Sequence, residues 1–207
     1  MATINERKRA FYERSSLFLG HICLRLGLTP NFLTGVSLVC AAVSGICFWQ
    51  GKMLWGVFWM LMTSLTDMLD GSTARAGNLG TVFGGLLDHV SDRYGEFFIL
   101  AGMVLSKVLN PGWGLFALFG MVIASYTRAA AESIGKIDNC AVGIMGRMEK
   151  FILIMAGAVL EHYFPSGKWP RGGWLELALI IVGLTSFITA IQRLVYAKKL
   201  LGNRREV

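Results

Sequence analysis

Apolar runs long enough to cross a bilayer dominate the chain, and short polar stretches punctuate them. The pattern predicts spans at 31–50, 53–75, 82–107, 112–135, 147–163 and 174–198, each near the ~20 residues that a hydrocarbon core requires. The breaks are rich in turn formers: Gly51-Lys52, Gly77-Asn78-Leu79-Gly80, Asn110-Pro111-Gly112, Gly135 to Asn139, and Pro165 to Gly173. Ahead of the first span, Ala2 to Leu28 mixes Arg7, Lys8, Arg9, Arg14 and Arg25 with Phe11, Leu17, Phe18, Ile22 and Leu26. That mix predicts an amphipathic helix lying in the membrane interface, with its basic side toward lipid phosphates. Thr29-Pro30-Asn31 ends it, because proline restricts the residue before it and suits the start of a new helix. The expected fold is an all-α membrane protein: six transmembrane helices preceded by an interfacial amphipathic helix. Residues 1–30 form the juxtamembrane segment and residues 31–200 a single transmembrane domain.

Composition strengthens this reading. The 207 residues are 54% hydrophobic and 16% charged, whereas soluble domains carry about 25% charged residues. The net charge of +7 would otherwise suggest nucleic acid. In so apolar a chain it points to basic residues gathered at anionic lipid headgroups, and no nucleic-acid partner is expected. With a cytoplasmic N-terminus, that side collects Arg7, Lys8, Arg9, Arg14, Arg25, Arg75, Arg128, Lys136, Arg147, Lys150, Arg193, Lys198, Lys199, Arg204 and Arg205. Lys52, Lys107, Lys168 and Arg171 remain opposite. The asymmetry predicts an integral protein of the cell membrane with both termini, and the active site, facing the cytoplasm. The polar, charged stretch Met1 to Arg14 does not read as a cleavable signal peptide. Cys23, Cys40, Cys47 and Cys140 lack the spacing of a metal site.

Four carboxylates interrupt the apolar pattern: Asp67 and Asp70 on the second span, Asp88 and Asp92 on the third. A charge at the bilayer centre costs roughly 2.5–3.5 kcal/mol on the mildest scale, so such residues face a functional cavity. Asp67 and Asp70 are three apart, Asp88 and Asp92 four apart, so each pair shares a helix face. A short Gly-containing turn joins the two helices, with Asn78 or Thr81 available as a cap. Carboxylates brought so close repel one another unless they surround a cation, and oxygen ligands favour Mg²⁺ or Mn²⁺ over zinc. Gly71 and Ala74 lie one turn after Asp67 and Asp70, and Gly84 one turn before Asp88, leaving room for a flat ligand; Arg75 is placed to meet a phosphate. A structural polar cluster and a cation-coupled transporter are the competing readings. Glu96 is expected to pair with Arg93, and His21, His89 and His162 are expected not to be ligands.

The spacing D-x-x-D-G-x-x-A-R-x8-G-x3-D-x3-D, from Asp67 to Asp92, resembles the signature of the CDP-alcohol phosphotransferases and matches every fixed position. The resemblance implies that Asp67, Asp70 and Asp88 hold the metal against a CDP diphosphate. It also implies that Asp92, placed with them around the metal, takes the proton from the acceptor hydroxyl. Gly71, Ala74, Arg75 and Gly84, together with Asp67, correspond to nucleotide-binding positions, with Asn31 and Thr34 as further candidates for that pocket. A homodimer is implied as well. The substrates would be a CDP-linked lipid and an alcohol, with membrane lipid around the protein.

Arg128, Arg147, Lys150 and Arg193 lie at the cytoplasmic ends of later helices. Several such cations suit an acceptor that itself carries phosphate. The arrangement is similar to the inositol-phosphate-accepting branch of the family. Ala130, Gly146 and Met148 depart from that branch's pattern, which keeps glycerol 3-phosphate as the competing acceptor.

Overall fold

A computed structural model describes residues 16–165 and 173–202. Among these residues the protein is wholly helical. Helix α1 covers Ser16–Arg25. It is followed by α2 (Pro30–Trp49), α3 (Met53–Ala76), α4 (Val82–Leu105), α5 (Pro111–Ser133), α6 (Arg147–Tyr163) and α7 (Gly173–Leu201). The basic residues expected before Ser16, along with Lys168, Arg171, Arg204 and Arg205, lie outside the described residues.

The helix ends follow from local chemistry. Gly27 (φ 73°) terminates α1 in a left-handed turn that returns Leu28 N–H to Cys23 O at 3.0 Å. Thr29 Oγ1 then accepts from Phe32 N–H, and Pro30 fills the first position of α2, where a missing N–H costs nothing. Asn110 caps α5 in the same way, accepting from Gly112 N–H at 2.9 Å ahead of Pro111. Between α3 and α4, Asn78 (φ 52°) closes the first helix, with Leu79 N–H reaching Ala74 O at 2.9 Å. Thr81 Oγ1 opens the second by accepting from Gly84 N–H at 2.9 Å.

The helices turn many large apolar side chains outward and bury several polar ones. Phe32, Val39 and Ile46 of α2, and Leu54, Trp55, Phe58, Leu61 and Leu65 of α3, point outward, while Thr34, Ser37, Ser44, Thr63, Ser64, Asp70, Ser72 and Thr73 of the same helices are buried. So much contiguous apolar exterior is a membrane-facing surface. Helices α2, α5 and α7 are long and apolar enough to span by composition alone. Helices α3, α4 and α6 are not among them, because α3 and α4 carry the aspartates and α6 is a 17-residue helix with Arg147, Glu149, Lys150 and Glu161.

Two compact units make up the chain. The first holds residues 1–44 and 58–99. In it α1 lies so close to α3 that a Cβ on Gly20 would overlap the Ser72 carbonyl, and Gly95 of α4 sits against Ala41 of α2. The second holds residues 45–57 and 100–207. There α7 packs on both α5 and α6, Phe116 stacks on Phe187 with ring centres 4.9 Å apart, and Leu175, Leu179 and Val182 are fully buried. A Cβ on Gly102 would collide with the Gly45 backbone. Buried Glu176 accepts from Asn110 N–H at 2.8 Å.

Candidate metal and nucleotide site

The α3–turn–α4 hairpin of the first unit brings Asp67, Asp70 and Asp88 together. One carboxylate oxygen from each lies within 4.8 Å of the others. The i, i+3 spacing puts Asp67 and Asp70 on one face of α3, and the Asn78–Thr81 turn sets the phase at which Asp88 meets them. Asp70 is buried, while Asp67 and Asp88 are half-buried. Three anionic groups at this separation favour a divalent ion, and an all-oxygen donor set fits Mg²⁺ or Mn²⁺. Asp92, one turn beyond Asp88, is outside this group of three. Its Oδ2 lies 3.6 Å from Arg93 Nη2. His89 Nδ1 stands 3.7 Å from Asp88 Oδ2, with its side chain 71% exposed, and is also outside the group.

Thr34 lies directly against the carboxylate group. Its Oγ1 donates to Asp70 Oδ2 at 2.7 Å, with both side chains buried. The same hydroxyl lies 3.2 Å from Pro30 O. It has one proton, and the shorter, charged partner is the stronger acceptor. Thr34 therefore orients a metal-site carboxylate. No spacing rule would have joined two residues 36 positions apart.

Small residues allow close approach around the carboxylates. A Cβ on Gly84 would lie 2.9 Å from Thr81 Oγ1 and 3.3 Å from Asn31 Oδ1, so the absent side chain lets the start of α4 approach Asn31 of α2. A Cβ on Gly71 would lie 3.3 Å from Arg75 Nη1, and Arg75 Nη2 donates to Ser72 Oγ at 3.3 Å. Ala74 is half-buried on the same helix. Arg93 Nη1 donates to Glu96 Oε2 at 2.8 Å, the expected pair.

In the second unit the four basic residues are held in different ways. Arg128 Nε donates to Glu132 Oε1 at 2.9 Å, an oxygen that also accepts from Cys140 N–H. The Arg147 guanidinium lies 5.3 Å from the Phe151 ring centre. Lys150 is buried. Arg193 donates from Nε to Val142 O at 3.0 Å and from Nη1 to Ala124 O, so it ties the segment before α6 and helix α5 to α7.

Residues 27–197 match the family model of the CDP-alcohol phosphatidyltransferases. The chain belongs to that family. As a CDP-alcohol phosphatidyltransferase it is 33% identical over 181 residues to the archaetidylinositol phosphate synthase of Methanothermobacter thermautotrophicus, covering 86% of this chain and 88% of that one. It also resembles the phosphatidylinositol phosphate synthase of Mycobacterium tuberculosis crystallised with CDP-DAG bound. The TM-score is 0.76 at 28% identity, over 89% of this chain and 94% of that one. The same mycobacterial enzyme in complex with manganese and citrate gives a TM-score of 0.75 at 28% identity, over 88% of each chain. Membership of this transferase family sets the transporter reading aside.

Proposed function

We propose that this protein transfers a phosphatidyl-type group from a CDP-linked lipid to the hydroxyl of an inositol phosphate, releasing CMP. The observation that carries the reading is the three-carboxylate group of Asp67, Asp70 and Asp88 within the family's motif. These residues would hold Mg²⁺ or Mn²⁺. When bound, the ion neutralises charge on the diphosphate and on the departing CMP. Asn31, Gly71, Ala74, Arg75 and Gly84 shape the nucleotide pocket, and Thr34 acts on it through Asp70. Asp92 accepts the proton of the acceptor hydroxyl. The acceptor oxygen then bonds to the lipid-side phosphorus as the bond from that phosphorus to the bridging oxygen breaks. A carboxylate is a weak base, so positioning must supply much of the acceleration. Arg128, Arg147, Lys150 and Arg193 are the proposed source of charge for the acceptor's own phosphate.

In this reading all six helices from α2 to α7 cross the cell membrane, α1 lies in the interface, both termini are cytoplasmic and the protein works as a homodimer. The many outward-facing apolar side chains and the basic asymmetry support it. CMP release by purified protein tests the activity, with inositol phosphate, glycerol 3-phosphate, inositol and serine compared side by side in Mn²⁺ or Mg²⁺. Asp92→Asn is expected to abolish turnover while CDP-lipid still binds, whereas Asp70→Asn weakens metal and nucleotide binding together. Near-wild-type turnover in both variants would end the proposal.

A further inference from the structure

Asp92 shares its stretch of α4 with a cation and a second carboxylate that the proposed reaction does not use. Arg93 Nη1 donates to Glu96 Oε2 at 2.8 Å, while Nη2 stands 3.6 Å from Asp92 Oδ2. The first is a charge-assisted hydrogen bond; the second is too long to be one and is an ion pair held at a distance. Burial ranks the two partners. The Glu96 side chain is 1% exposed and that of Asp92 16%. A carboxylate buried as deeply as Glu96 is costly without its cation, so Glu96 holds the guanidinium more firmly. For stability alone an apolar pair at positions 93 and 96 would serve as well, since buried ion pairs rarely improve on apolar packing.

We propose that Arg93 and Glu96 are positioning residues for Asp92. Glu96 ties the guanidinium back, so that it steadies the Asp92 carboxylate without closing onto it. If the gap closed, the arginine fork would occupy oxygens that must be free to meet the acceptor hydroxyl. The inference rests on the reading of Asp92 as proton acceptor. Neither Arg93 nor Glu96 touches the reacting atoms.

The test uses full-length protein in nanodiscs with Mn²⁺, CDP-lipid and inositol phosphate, reading CMP release. Glu96→Gln keeps the shape and an acceptor oxygen but removes the charge, which releases Arg93 toward Asp92. A displacement of about 1 Å can cost a hundredfold in rate, so kcat is expected to fall roughly 10- to 100-fold with KM for the CDP-lipid unchanged. Adding Arg93→Gln to Glu96→Gln removes the capturing cation together with its steadying contact, and is expected to restore part of the lost kcat but not all of it. A double variant no better than the single one overturns the proposal, and so does a kcat loss that only follows a lowered unfolding temperature and a raised lipid KM. So does wild-type kcat in Glu96→Gln. If Glu96→Gln does not fold, Arg93→Lys replaces it. An ammonium lacks the rigid fork that holds the two carboxylates in one fixed geometry, so kcat is expected to fall at unchanged lipid KM, and an unaltered kcat refutes the role. Asp92→Asn runs alongside: turnover in that variant means that the proton-acceptor reading itself has failed.

Discussion

Replacing Thr34 by valine removes one hydroxyl from the interior and little else, which makes it a sensitive probe of how the metal site is held. The lost contact is the 2.7 Å hydrogen bond to Asp70 Oδ2. A buried hydrogen bond to a charged acceptor contributes about 1.5–3 kcal/mol. At 1.36 kcal/mol per tenfold, that corresponds to roughly 10- to 150-fold in any equilibrium that depends on Asp70 facing the ion. The range agrees with the 10- to 100-fold typical when a partner of a metal ligand is removed. The expected result is therefore a 10- to 100-fold rise in the Mn²⁺ concentration for half-maximal CMP release. Most of kcat should return at saturating Mn²⁺, and the acceptor KM should stay unchanged. Direct titration of Mn²⁺ by its electron-spin resonance signal should move by the same factor. An unchanged metal half-saturation would refute the argument. Loss of kcat that excess metal does not repair would assign Thr34 to the nucleotide pocket instead.

Four further outcomes follow from the structure. Gly102→Val places a side chain on the Gly45 backbone, which cannot yield as a rotamer can; thermal unfolding in detergent should move down by about 2–4 °C per kcal/mol in a chain of this size. Gly84→Val crowds Asn31 Oδ1 and the Thr81 cap, and is expected to raise the CDP-lipid KM about tenfold, ~1.4 kcal/mol, while the Mn²⁺ half-saturation stays put. Arg193→Lys cannot reproduce two directed bonds to Val142 and Ala124, so it should lower the unfolding temperature whether or not acceptor is present. A Lys150→Met variant with unchanged acceptor KM would remove that residue from the acceptor site.

The architecture was legible because its punctuation is chemically unambiguous. Thr29-Pro30, Gly51, Asn78, Thr81 and Asn110-Pro111 each act by a local mechanism, and the segments expected at 53–75 and 147–163 appear as the helices Met53–Ala76 and Arg147–Tyr163. Proximity of Asp67, Asp70 and Asp88 was legible for a similar reason, since helix periodicity and a short turn leave few other arrangements. What sequence did not disclose depends on tertiary contact. Thr34 reaches Asp70 from another helix, and Arg193 spends its donors on main-chain carbonyls that carry no side-chain signal. Hydropathy alone scores α3 and α4 low, because the aspartates of the motif lie on them.

The turn joining α3 to α4 has a consequence for the whole motif. A residue added in a helical part of the interval from Arg75 to Gly84 would rotate the ligands beyond it by about 100° and advance them by about 1.5 Å, and one added in the turn would separate the Asn78 and Thr81 caps that set the phase of α4; either change carries Asp88 away from its two companions. The unspecified positions in that interval thus work as a spacer of set length. Their side chains are open to change, but their number sets the angular register of the ion's ligands.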